Sequence, residues 1–218
     1  MRLVTKGERP KCIVDAVRAH PDLTTRDSAK SAYDTLDKDE VRAALVSEQR
    51  HLCAFCERRL QTGKAGRTFT EGETGPNHNV RIAHRTPVAV DSRLALTWEN
   101  LIGSCDDERT CDVAQGSRAL TVDPTKKVTV AQIRYERRDG TRGLFASSDE
   151  PAIRRDLQET LRLNDADLPV IREAAHKALR VRLAKKEKYG KPALREYLGT
   201  CIGPRLPEHF GFLERMAT

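Results

Sequence analysis

Apolar and polar positions alternate with helical spacing over most of the first fifty residues. Cys12–Ala19 forms a short amphipathic stretch that stops at Pro21, and Thr25 or Asp27 can cap a second helix running to about Leu36. Val41, Leu45 and Val46 lie on one face of a third helix over Lys38–Gln49. The pattern then breaks. Gln61 to Asn79 carries four glycines and few large apolar side chains and reads as a loop. Asn79–His84 alternates weakly, as a strand does, and Leu94–Leu101, with Trp98, is apolar enough to return to the core. Val128, Val130, Ile133 and Tyr135 alternate across Val128–Arg137, and Asp139-Gly140 after them predicts a hairpin turn. Pro151–Leu161 is amphipathic. Asn164 or Asp165 caps a longer helix with Leu168, Ile171, Ala175, Leu179 and Leu183 on one stripe, ending before Gly190, and Pro192–Leu198 adds another turn or two.

The expected class is therefore α+β, in three stretches: an N-terminal helical segment over residues 1–50, a central unit over 51–120, and a C-terminal hairpin and helical segment over 121–218. No run approaches the roughly 18 apolar residues of a membrane span, and residues 1–8 lack an apolar signal region. The expectation is a soluble cytoplasmic chain without a membrane partner. Net charge is +7 and uneven. Arg172–Glu196 holds nine Lys/Arg against three Glu, whereas Met1–Leu52 holds ten against nine acids. Such a surplus favours an anionic partner, nucleic acid foremost, with Lys185, Lys186 and Lys188 as candidate contacts; a solvated helix face explains the same run.

Cysteine spacing changes the picture most. Cys53 and Cys56 form a C-x2-C pair, and Cys105 and Cys111 a second pair, with 48 residues between the two pairs. Two thiolate pairs can converge on one tetrahedral structural zinc ion, a site with no open position for chemistry. A redox role would want a helix after the first pair, but Glu57-Arg58-Arg59 and the Gly-rich stretch follow. Cys12 and Cys201 stand alone and read as small buried apolar residues. No G-x4-G-K-[ST] run occurs, so any ATP dependence would come from another chain.

Between the cysteine pairs lie Ile82-Ala83-His84, Trp98-Glu99-Asn100-Leu101 and, at the second pair's end, Cys111-Asp112 with Gln115-Gly116; fifteen residues separate His84 from Asn100 and eleven separate Asn100 from Asp112. This run resembles the HNH, or ββα-metal (His-Me finger), nuclease module with a four-cysteine zinc knuckle. Lys6–Pro10, Val41–Leu45, Cys53–Glu57 and Leu161–Asn164 further resemble the HNH subunits of Septu antiphage systems, which also accompany some retrons. The resemblance spans Lys6 to about Ala178. It implies metal-dependent hydrolysis of phosphodiester bonds, DNA favoured and RNA second, in antiviral defence beside an SMC- or ABC-like ATPase subunit. It assigns His84 as general base, Asn100 as the residue that positions the loop orienting His84, and Asp112 as ligand of a catalytic magnesium or manganese; Asp112 as a mere helix cap is the plainer alternative. Arg85 is a candidate phosphate contact, while His51 and His78 read as surface residues. The chain departs from the family at Ala83, where an acidic residue or histidine normally ligates the metal, and at Gln115, where a lysine is expected nearby. An engineered change, a natural loss of activity, or replacement by Asp91, Asp106 or Asp107 would each explain Ala83. Without catalysis, the chain would be a zinc-containing nucleic-acid-binding module or a scaffold that docks the ATPase.

Overall fold

The computed structural model describes residues 1–62, 77–165 and 167–218. The chain is α+β. Three helices come first: α1 (Lys11–Ala19), α2 (Arg26–Asp34) and α3 (Lys38–Glu48). Thr25 caps α2 with a reciprocal side-chain pair to Ser28, and Asp37 caps α3 through the amides of Asp39 and Glu40. Their inner faces, with Ile13, Ala32, Val41 and Leu45, close over Leu96, Trp98 and Leu101. Lys6 reinforces this contact: its ammonium stands 3.7 Å over the Trp98 ring and donates to Leu101 O and to Glu48.

The central sheet has the order β1 (Leu60–Gln61), β2 (His78–His84), β3 (Leu101–Cys105), with β1 parallel and β3 antiparallel to β2. A five-residue helix, α4 (Cys111–Gln115), follows β3. The loop expected over Gln61–Asn79 falls mostly on residues outside those described; its two ends belong to strands. The main core collects residues from all three stretches of the chain, Val46, Phe55, Ile102, Ile133, Leu157 and Leu168 among them.

Gln49 fixes the sheet to α3. Its fully buried amide donates to Leu52 O and Gly103 O, both at 2.8 Å, while its Oε1 accepts from Gly103 N at 2.6 Å. A side chain on Gly103 would stand 3.1 Å from Gln49 Nε2 and 3.3 Å from Val80, so anything larger than glycine would push them back by a few tenths of an ångström.

The C-terminal stretch departs from expectation in instructive ways. Val128–Arg137 is not one strand. Residues Lys127–Ala131 form a short helix, α5, and only Arg134–Glu136 (β4) pairs with β5 (Phe145–Ser147). Burial explains it: Val130 and Ile133, three residues apart, face the core, while Val128 is 67% exposed. The amphipathic run from Pro151 is α6 (Pro151–Arg155) continued by a π-type turn over Asp156–Thr160. There the Asp156 carboxylate accepts the amides of Thr121 and Val122. The long helix α7 (Leu168–Ala184) starts later than expected because Asn164 is used elsewhere. Its side-chain amide pairs with both backbone groups of Ala146 on β5, at 2.7 and 2.8 Å. Helices α8 (Gly190–Gly199) and α9 (Phe210–Ala217) complete a satellite core with Leu179, Leu183, Leu194 and Phe212. No described helix is long and apolar enough to cross a membrane.

The central pin is testable. Gln49→Ala leaves the Gly103 amide and its neighbours short of partners inside the core and is expected to cost about 2–4 kcal/mol. Urea unfolding monitored at Trp98 measures it; a loss under about 0.5 kcal/mol would show that the amide is dispensable.

Candidate metal centre and the adjoining histidine cavity

The four cysteines predicted from spacing come together. Their sulfurs all lie within 4.8 Å of one another, and every one is buried. The Cys53–Cys111 and Cys56–Cys105 separations are 3.8 and 3.7 Å. A tetrahedron with metal–sulfur bonds of about 2.3 Å has edges of about 3.8 Å, so the quartet fits an ion such as zinc. Local backbone makes the convergence possible. Cys53 and Cys56 sit on a tight turn where Glu57 N donates to Cys53 O and Glu57 takes a φ of 63°. Cys111 takes a φ of 60° at the start of α4 and hangs by its amide from Leu161 O. Left-handed backbone costs a non-glycine residue about 1 kcal/mol or more, which the surrounding cluster must offset.

Arg58 completes the centre. It donates to Cys56 Sγ at 3.3 Å, Cys105 Sγ at 3.5 Å, Thr110 Oγ1 at 3.1 Å and Asp107 Oδ2 at 2.9 Å. Burial pushes the Cys56 thiol up, but hydrogen bonds from Cys105, Cys111 and Cys53, with the charge of Arg58, bring it well below its usual value. The thiolate is the ligating form, so Arg58 favours metal binding while balancing the negative charge of a four-thiolate site. The cluster also reaches the C-terminal helices: the carboxylate of buried Glu57 accepts the Gly211 and Phe212 amides at the start of α9, and takes the Met1 amino group at 3.3 Å. Cys12 and Cys201, expected buried, are both half-buried.

Asp112 shares α4 with Cys111, and His84 lies on β2, the strand paired with the Cys105-bearing β3. His84 ends β2, and Asp112 lies in the first turn of α4. Both line one open cavity of about 340 Å³, with Pro87, Val88, Ala89, Gly116, Ser117 and Arg26. His84 Nε2 lies 3.0 Å from Ala95 O. A carbonyl only accepts, so Nε2 carries the proton and the neutral ring keeps its lone pair on Nδ1. The Tyr33 ring packs against the imidazole with centroids 5.3 Å apart. Burial lowers the His84 pKa, against a smaller upward pull from the Ala95 hydrogen bond and from Asp112. The neutral, proton-accepting form therefore holds to lower pH than in an ordinary histidine.

Asn100 is buried and ties down the loop after β2. Its Nδ2 donates to Thr86 O at 3.0 Å and Leu94 O at 3.2 Å, its Oδ1 accepts Thr86 N at 2.8 Å, and its carbonyl accepts Arg85 N at 2.9 Å. That loop supplies the Ala95 carbonyl on which His84 rests. Asp112 Oδ2 accepts from Arg81 Nε at 2.9 Å. Thr110, not Asp112, occupies the cap position of α4. Buried Gln115, where a lysine was expected, donates to Arg85 O and Arg118 O and links α4 to the end of β2.

Other expected residues lie apart from the cavity. Ala83 is buried, with its methyl in the main core. Asp91 pairs with Arg93, Asp106 with His78 and Asn79, and Asp107 with Arg58; none lines the cavity. His78, read as a surface residue, is buried, because Asp106 Oδ1 accepts from its Nδ1 at 3.1 Å and so compensates its polar ring. His51 is half-buried. Arg85 spends its guanidinium on Asp123 and on Glu99 O. Lys185, Lys186 and Lys188 are exposed just beyond α7, where Lys188 pairs with Glu196. Sequence reasoning missed Arg26, an exposed residue on α2 in the cavity wall, and Arg81, the partner of Asp112. Arg81 was legible as the outward position of an alternating strand; nothing local to Arg26 marks it.

Metal content checks the quartet. The purified chain is expected to carry one zinc ion per chain by elemental analysis, and Cys53→Ser or Cys105→Ser to lose it. Because binding energy of about 10 kcal/mol or more is also folding energy, strong chelators should unfold the chain rather than merely strip it. Full thermal stability after verified metal removal would show that the sulfurs pack without an ion. No family model matches the chain, and no match to it emerges among curated proteins.

Proposed function

We propose that this chain is an HNH-type nuclease subunit that acts on nucleic-acid phosphodiesters, DNA before RNA. The observation that carries the reading is the joint lining of one cavity by His84 and Asp112, beside a four-cysteine centre that ties α4 to β3, the strand paired with β2. In this reading β2, β3 and α4 are the ββα-metal unit. His84 Nδ1 takes the proton from an attacking water, while the Ala95 carbonyl holds the ring in the tautomer that leaves that nitrogen free. Asn100 keeps the loop carrying that carbonyl in place. Arg26 offers positive charge to a phosphate entering the cavity. The resemblance in sequence extends the reading to antiphage defence alongside an SMC- or ABC-like ATPase.

A catalytic magnesium or manganese fits this donor set poorly. Among the described residues Asp112 is the one carboxylate in the cavity lining, it is already paired with Arg81, and Ala83 offers no donor atom. Such ions take their protein contacts from one or two carboxylates plus substrate oxygens. The chain thus keeps the base and its support but is short of metal ligands, so hydrolysis by it is expected to be weak. The same two facts favour a second reading, a nucleic-acid-binding or scaffold subunit without catalysis.

Restoring a carboxylate separates the readings. Ala83→Glu and Ala83→Asp should raise manganese- or magnesium-dependent cleavage of DNA or RNA substrates, with the zinc content unchanged. His84→Ala in the restored background should remove about 10²-fold or more of that rate. The restored rate should climb with pH and level off below the ordinary imidazole pKa, since burial favours the neutral base. No cleavage after restoration, with salt-steep binding retained, would leave the binding reading standing; neither binding nor cleavage would leave the scaffold.

A further inference from the structure

Helix α7 is apolar on two faces. Its inner face, with Leu179 and Leu183, packs in the satellite core. Its outer face repeats the pattern with none of the described residues packed upon it: Val170, Ala174, Ala178 and Val181 follow one another at helical spacing, with Val170 45% and Val181 50% exposed. Tyr189, 69% exposed, extends this strip past the end of the helix. A trough of about 740 Å³ runs along one flank of the strip and a second of about 460 Å³ along the other. A solvated helix face has no use for a second apolar stripe, so this one points to a partner.

The rims say what partner. Lys177, Arg180 and Lys188 edge the larger trough, and Lys177, Arg182 and Lys185 the smaller. The one carboxylate in these walls among the described residues, Glu173, is engaged by Arg137 and by the Gly143 amide. The troughs therefore present positive charge on both sides of an aliphatic floor. Nucleic acid would match the charge but not the floor: Tyr189 and His176 are planar, but the strip along α7 itself is valine and alanine, which neither stacks a run of single-stranded bases nor aids a duplex backbone.

We propose that the outer face of α7 docks an amphipathic helix of a partner protein, apolar along one side and acidic at its edges. The seventeen residues of α7 give a face about 25 Å long, which matches a partner helix of roughly equal length. Apolar ridge against apolar strip supplies the affinity, and carboxylates meeting the lysine and arginine rims set its polarity and orientation. The proposal stands whether or not the His84 cavity is catalytic.

The test titrates the full chain, at physiological salt, into three labelled probes: a synthetic 18-residue helix with leucines on one face and glutamates beside them, its lysine twin, and an 18-base-pair DNA duplex. The acidic helix should bind with a Kd in the micromolar range and at least about tenfold more tightly than the lysine twin. Val181→Asp, at an exposed position, should weaken the acidic helix about tenfold or more without changing zinc content or thermal stability. The paired change Lys177→Glu and Arg180→Glu should reverse the preference toward the lysine twin, a gain that misfolding cannot produce. DNA affinity should not respond to Val181→Asp. Binding of neither peptide, or equal binding of both, would overturn the proposal. DNA binding that falls with Val181→Asp would assign the face to nucleic acid and overturn it as well.

Discussion

The convergence of four thiols from the turn before β1, the end of β3 and the start of α4 is the constraint on which the remaining structure depends. The sheet is small, and β1 contributes two residues to it. A ladder of that size does not hold itself together in water. The sulfurs join the turn before β1 to the segment after β3, across 48 intervening residues. An ion of about 10 kcal/mol binding energy at that junction rivals the whole stability of an ordinary domain. Arg58 and Glu57 carry the effect outward. One neutralises the sulfur cluster and the other anchors α9, so the C-terminal helices are fastened to the same turn that holds two of the ligands.

The His84 cavity inherits its geometry from this junction. Its two chemical groups sit at the far end of β2 and in the first turn of α4, and the thiol cluster ties α4 to β3, the strand paired with β2. The loop between β2 and β3 would be free to drift, but Asn100 spans it with three side-chain hydrogen bonds and thereby fixes the carbonyl that orients the imidazole. The cavity thus sets an oriented neutral imidazole near an arginine-paired carboxylate, both held by rigid support.

Charge along the chain divides differently from what a tally of residues suggests. Arg172, counted in the basic C-terminal run, is buried and donates to Leu144 O and Leu163 O, so it serves packing rather than a surface. Arg85 is likewise consumed by Asp123. The cations that remain on the surface of α7 border an apolar strip, and this pairing, more than net charge, distinguishes that face from an ordinary solvated one.

The sequence by itself determined the α+β class, the three N-terminal helices with Thr25 as one of two candidate caps for the second, the strand ending at His84, and the metal quartet. These rest on local signals: capping side chains, strand alternation, and cysteine pairs whose spacing leaves few other uses. Tertiary structure decided the rest. Val128–Ala131 turned helical because the core lay under Val130 and Ile133, a preference the alternating pattern could not express. Asn164 capped no helix because the edge of β5 offered its amide a better match. His78 went inside because Asp106, distant in sequence, was there to meet it. Arg26 reached the histidine cavity, and Arg81 claimed Asp112, only once α2, β2 and α4 had been packed together. Periodicity reports which residues avoid water, but which polar groups satisfy one another depends on contacts between segments that the chain order keeps apart.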